Sequence, residues 1–183
     1  MQFWDCLFSL LKGIMKKPQN LFLVGPMGAG KSAVGRQLAK LLYLDFLDSD
    51  EEIENRTGVD ISFIFEKEGE QGFRKRESQV INEFSERQGI VLATGGGAVI
   101  DPINRNRLGS RGFVVYLYTT VDQQLERTRR YRHRPLLEDV DKGKMLQELM
   151  DIRDVLYREI ADLIVKTDGR RVQEVAADIR DAL

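Results

Sequence analysis

The sequence predicts an α/β protein with a five-stranded parallel sheet and helices on both faces. Three observations lead there. Short apolar runs at 21–24, 44–47, 90–93, 113–118 and 163–166 have the length of buried strands. Helical patterns at 32–42, 49–56, 62–68, 71–88, 102–108, 121–130, 145–159 and 172–183 separate them, the alternation that builds a parallel sheet through crossovers. The first strand runs straight into a glycine-rich loop and a helix, and no repeat or interdomain linker interrupts the pattern.

Composition narrows the classes further. A chain of 183 residues, 42% hydrophobic and 31% charged, is long enough for one large core, and 15–183 reads as a single domain. A net charge of −1 gives no overall attraction to nucleic acid or to an anionic membrane, so neither is an expected partner. Cys6 is the only cysteine and His133 the only histidine, which excludes an internal disulfide, a multi-cysteine or histidine-rich metal centre and makes a Ser/His/Asp triad a poor fit. The single cysteine suits a reducing cytoplasm. Residues 1–14 carry Phe3, Trp4, Leu7, Phe8, Leu11 and Ile14 at helical spacing. Asp5 interrupts that run, no basic stretch precedes it, and it is too short to span a bilayer, so it reads as an extension whose role is open.

The loop Gly25-Pro26-Met27-Gly28-Ala29-Gly30-Lys31-Ser32 fits G-x-x-x-x-G-K-[ST] at every fixed position and lies between a strand and a helix, as that motif requires. The fold is therefore of the P-loop NTPase type. Its backbone N–H groups, from Gly28 through Ala33, can turn inward around phosphate at a helix N-terminus. Lys31 then reaches the β- and γ-phosphates, and the Ser32 hydroxyl can ligate Mg²⁺. A nucleoside triphosphate is the first ligand to expect.

Ligands of such sheets bind beyond the carboxyl ends of the strands, so the residues following each strand belong together. Asp48-Ser49-Asp50 follows the second strand. A period of two in extended chain puts both carboxylates on one side, with Ser49 facing away, one for hydrated Mg²⁺ and one for an acceptor hydroxyl. A helix cap for the segment that follows is the alternative. Thr94-Gly95-Gly96-Gly97 follows the third strand, where three glycines can expose successive N–H groups to an oxygen-rich ligand or simply turn the chain. Arg74, in the helical insertion 49–88, and Arg153 can each grip a carboxylate through two hydrogen bonds. Arg127, Arg129, Arg130, Arg132 and Arg134 crowd the approach to an irregular stretch, 131–143, that reads as a flap closing over phosphates. A nucleic-acid patch fits less well, because Glu138, Asp139 and Asp141 follow directly and Tyr131 is the only aromatic in that stretch.

Gly-Pro-Met-Gly-Ala-Gly-Lys-Ser, Asp-Ser-Asp, Gly-Phe-Arg, Thr-Gly-Gly-Gly, Arg-Pro-Leu-Leu and the Arg153 helix occur in this order, and in that order the chain resembles a shikimate kinase from about residue 20 to its end. The resemblance implies a nucleoside-monophosphate-kinase-like fold with a mobile substrate lobe, 49–88, and a lid, 131–143. It implies ATP-dependent phosphorylation of the 3-hydroxyl of shikimate, with Mg²⁺. It also assigns roles: Asp50, Arg74, Gly95, Gly96, Gly97 and Arg153 to shikimate, Lys31 to phosphate, Ser32 and Asp48 to magnesium, Arg134 to the lid and Arg127 to a place beside the adenine. A monomer is expected. One departure stands out, since the family helix commonly reads Arg-x-Pro-Leu-Tyr and here Arg153 is followed by Asp154, Val155, Leu156 and Tyr157. That leaves the angle at which the helix enters the site open. A gluconate-type or nucleoside-monophosphate kinase shares the loop and sheet. A GTP-driven switch does not fit, for the chain has no Asp-x-x-Gly and reads Val165-Lys166-Thr167-Asp168 where Asn-Lys-x-Asp is needed.

Overall fold

A computed structural model describes residues 20–128 and 142–183. Strands β1 (Leu21–Val24), β2 (Asp45–Asp48), β3 (Ile90–Ala93), β4 (Phe113–Tyr118) and β5 (Leu163–Lys166) pair in the order β2-β3-β1-β4-β5, and each pairing is parallel. Side chains alternate along the strands. Phe22, Val24, Leu92, Val114 and Tyr116 enter one apolar layer, while Leu21, Leu23, Val91, Val115 and Leu117 enter the other. Both faces must therefore be covered.

Helix α1 (Lys31–Leu42) and helix α7 (Val172–Asp181) cover one face through Val34, Leu38, Val175 and Ile179. Three helices cover the other: α3 (Ile61–Ser85), α4 (Pro102–Arg111) and α6 (Lys142–Ile160), through Ile81, Phe84, Leu108 and Tyr157. The chain leaves β1 toward the first face and β3 toward the second. These strands are neighbours, so a crevice opens between their carboxyl ends, where ligands of doubly covered sheets bind.

The remaining helices are short. Helix α2 (Ser49–Thr57) starts at Asp48, whose Oδ1 accepts from the N–H groups of Asp50 and Glu51, and ends at Gly58 with φ 70°. Helix α3 is broken at Gly69, φ 68° and ψ −177°, a conformation that L side chains rarely adopt. The separate segments 62–68 and 71–88 read from the sequence correspond to its two limbs. A 3₁₀ turn (Ala98–Ile100) precedes α4, and α5 (Val121–Thr128) follows β4.

Two expectations need correction. The second strand lies one residue later than 44–47, because the Leu44 N–H closes the end of α1 on the Ala39 carbonyl, leaving Asp45 to begin the pairing with β3. Lys142 and Gly143, assigned to the flap, open helix α6. The extension 1–14, the rest of the flap at 131–141, His133 and the arginines 129, 130, 132 and 134 lie outside the described residues. No described helix is long and apolar enough to cross a membrane.

Candidate active site

The loop between β1 and α1 is built by backbone conformation. Gly25, Gly28 and Gly30 have φ of 139°, 77° and 90°, and a Cβ on Gly25 would stand 2.5 Å from the Leu117 carbonyl oxygen. These glycines are structural necessities of the loop. The Lys31 ammonium donates to the carbonyls of Gly25 (2.7 Å) and Pro26 (2.8 Å), so it lies across the loop it starts from. Arg127, on α5, donates to the Gly28 carbonyl (2.9 Å) and to the hydroxyl and carbonyl of Thr167, which follows β5. Gly28, Gly30, Lys31, Ser32, Ala33 and Arg127 all line a cleft of about 690 Å³. Ala29 is buried beneath it.

Asp48 and Asp50 reach this cleft by a route other than the one read from the sequence. Extended chain does not continue through them: Asp48 ends β2 and caps α2, and Asp50 lies in the first helical turn. The helix cap and the shared site are both real. Asp48 caps with Oδ1 and accepts from the Ser32 hydroxyl with Oδ2, at 2.6 Å. Ser49 is fully buried and its hydroxyl accepts from the Gly95 N–H at 2.9 Å. The glycine loop therefore does not offer three successive amides, because that of Gly95 is already committed to Ser49.

A second cleft, of about 470 Å³, opens beside the first and shares Ser32, Asp48, Asp50 and Gly96 with it. Its floor is the glycine loop, and side chains pack where Cβ atoms would be. A Cβ on Gly95 would lie 2.5 Å from Glu77 Oε1 and 2.8 Å from Asp50 Oδ1, and one on Gly97 would overlap the Arg74 guanidinium. Arg74 pairs with Glu77 (2.7 Å) and Glu70 (3.0 Å). Arg153 comes from α6 with only 9% of its surface exposed and lies 3.5 Å from the Gly96 carbonyl oxygen. The helix is unbroken at Val155, which is exposed, so the exchange of proline for valine leaves Arg153 pointing inward.

Glu77 and Tyr157 were not singled out from the sequence. Glu77 is 1% exposed, and its Oε1 has no hydrogen-bond partner among the described residues. Burial pushes its carboxyl up to about 7, against the pull of the Arg74 guanidinium, and the nearby Asp50 charge adds to the rise. Tyr157 is fully buried and donates to the Gly96 carbonyl. Spacing held a signal for both: Glu77 is three residues after Arg74 and Tyr157 four after Arg153, on the same helix faces.

The sequence profile of the shikimate kinase family matches residues 27–183. Shikimate kinase from Shewanella loihica is 56% identical over 169 residues, covering 92% of this chain and 99% of the relative. The Pasteurella multocida enzyme is 56% identical over 170 residues, covering 92% and 97%. Among solved structures, shikimate kinase from Acinetobacter baumannii in complex with shikimate superposes with a TM-score of 0.89 at 51% identity, over 93% of this chain and 95% of that one. A profile spanning most of the residues, relatives more than half identical and a matching architecture agree, and the chain belongs to the shikimate kinase family.

Proposed function

We propose that this chain transfers the γ-phosphoryl group of ATP to the 3-hydroxyl of shikimate, giving shikimate 3-phosphate, a step of chorismate and aromatic amino-acid biosynthesis. The observation that carries this reading is the shared wall of the two clefts. Ser32, Asp48, Asp50 and Gly96 border both, so a donor phosphate on one side and an acceptor hydroxyl on the other meet there.

Phosphoryl transfer through a loose transition state needs alignment and charge neutralisation more than covalent help. Lys31 and the N–H groups from Gly28 through Ala33 hold the phosphates, Arg127 lies beside the adenine, and Arg134 closes from the lid. Asp50 orients the attacking hydroxyl and accepts its proton as the new P–O bond forms, because a carboxylate is a weak base toward an unreacted alcohol. Arg74 and Arg153 grip the shikimate carboxylate, with Glu77 holding Arg74 in place. The lobe 49–88 carries the acceptor, and a lid within 131–141 keeps water from competing with it.

Ser32 and Asp48 suit Mg²⁺, since a hydroxyl and a carboxylate 2.6 Å apart are hard oxygen donors and this ion needs few protein ligands. When bound, magnesium neutralises phosphate charge. A monomer fits, because one chain supplies both clefts, and a cytoplasmic location fits a single-cysteine chain that consumes ATP.

An ADP-release assay with shikimate, gluconate, AMP or single-stranded DNA as the second ligand tests the reading. Release with shikimate alone is expected. Release with gluconate or AMP and none with shikimate would overturn it.

A further inference from the structure

The Gly96 carbonyl is the point at which helix α6 touches the glycine loop. Tyr157 donates to it at 2.5 Å, and Arg153 approaches the same oxygen at 3.5 Å. On its other side Gly96 rests against the phosphate loop, where a Cβ would stand 3.4 Å from the Met27 nitrogen and 3.6 Å from the Gly25 oxygen. This one residue thus borders both clefts and both loops.

We propose that Tyr157 is a positioning residue for transfer, its hydroxyl fixing the rotation of the Gly96–Gly97 peptide where donor and acceptor meet. A trans peptide is planar, with N–H and C=O pointing in opposite directions. Holding the Gly96 oxygen toward α6 therefore aims the Gly97 N–H away from α6 and keeps the oxygen's partial negative charge out of the clefts. Release of the oxygen lets the peptide turn, bringing an acceptor of the wrong sign toward phosphate and carboxylate. The same bond keeps Arg153 in register, since both groups share one helix and one oxygen.

Tyr157 is well built for this. Its ring lies 4.9 Å from that of Tyr116 and is fully buried, so the hydroxyl has little freedom to leave. Burial also holds the phenol well above its ordinary range, keeping it a donor at every working pH. Tyr116 provides an internal control. It belongs to the same ring pair and its hydroxyl is also bonded, but to Asp154 (2.7 Å) rather than to the glycine loop.

The proposal rests on the shikimate reading, and the two can fail separately. Turnover of shikimate by the unaltered protein tests that reading. The two tyrosine variants, compared on whichever acceptor the unaltered protein phosphorylates, test this one. Tyr157→Phe should lower kcat/KM for the acceptor about tenfold, the ratio one hydrogen bond accounts for, with ATP affinity of the free enzyme within about twofold. Tyr116→Phe, which also loses one hydrogen bond, should lower Tm about as much as Tyr157→Phe does and leave kcat/KM within about twofold. Placing 4-aminophenylalanine at position 157 restores a donor on the same ring and should recover most of the lost kcat/KM. Equal kinetic losses in both phenylalanine variants, or a Tm loss in Tyr157→Phe without a kinetic one, would overturn the proposal. If Tyr157→Phe does not fold, the 4-aminophenylalanine variant decides alone: folded and near-normal kinetics support the donor role, and folded protein with a tenfold loss refutes it.

Discussion

The two halves of the site are made in opposite ways. The donor half is local: the six residues between β1 and α1 form a loop whose shape comes from three glycines at positive φ, and the lysine that opens α1 folds back onto that loop. The acceptor half is assembled from Asp50 on α2, Arg74 and Glu77 on α3, the glycine loop after β3, and Arg153 and Tyr157 on α6. Glu77, Arg153 and Tyr157 are buried there, and Glu77 depends on Arg74 for its ion pair. Local backbone geometry survives the loss of a side chain, whereas a buried ionic cluster that loses one member leaves another without compensation. The donor half should therefore lose chemistry without losing stability. The acceptor half should lose some of both.

The largest effect expected on the donor side is from Lys31→Ala, which removes a charge aimed at the transferring phosphate. Turnover should fall by about two to three powers of ten while Tm barely moves. A large fall in Tm would erase the contrast between the halves. Asp50→Asn comes next, at the boundary between them. Its kcat should drop by about two powers of ten with ATP affinity nearly unchanged, the usual scale for a lost general base. Asp48→Asn should instead raise the Mg²⁺ concentration needed, and excess Mg²⁺ should restore that variant alone. Rescue of both variants, or of neither, would show that the two carboxylates do not divide the work.

On the acceptor side, Arg153→Ala and Arg74→Ala should each raise the shikimate KM by about thirtyfold or more, with little change for ATP. Arg74→Ala should also be the less stable of the two, because it strips Glu77 of its ion pair in a buried place. Equal stabilities would break the idea that the cluster is interdependent. The smallest effect sharpens the same point. The folded-state pKa of Glu77, about 7, exceeds its ordinary 4.5, so the folded protein binds the extra proton between those values. Stability from this group is full below about pH 4.5 and is lost as pH rises through 7. Glu77→Gln should flatten that decline, by an amount of order 1–3 kcal/mol, in urea melts compared at about pH 5 and about pH 8. An unchanged slope would mean that the buried carboxyl ionises freely.

This difference also explains what could be read in the chain. The strand–loop–helix unit, the alternation of elements and the break near Gly69 are local, so residue order and spacing display them. Asp48 and Asp50 were legible as a pair but not in their geometry. The sequence offered extended chain or helix cap as alternatives, and the fold uses the cap while aiming the other Asp48 oxygen at Ser32. Glu77 and Tyr157 passed unnoticed because a glutamate on a helix and a tyrosine in an apolar stripe are ordinary until their depth is known.

What the sequence by itself determined was the set of pieces: strands of the right length, helices with one apolar face, a phosphate loop that only glycine can shape, and the charged residues available beyond each strand. These follow from steric limits and periodicity, which act over a few neighbouring residues. Only the tertiary structure decided which pieces meet. Gly96 and Tyr157 are 61 positions apart, and Ser49 and Gly95 are 46 apart, yet each pair is joined by a hydrogen bond. Such bonds exist because the β2-β3-β1-β4-β5 order brings separate carboxyl ends to one crevice, and burial there holds ordinary side chains in fixed positions against defined partners.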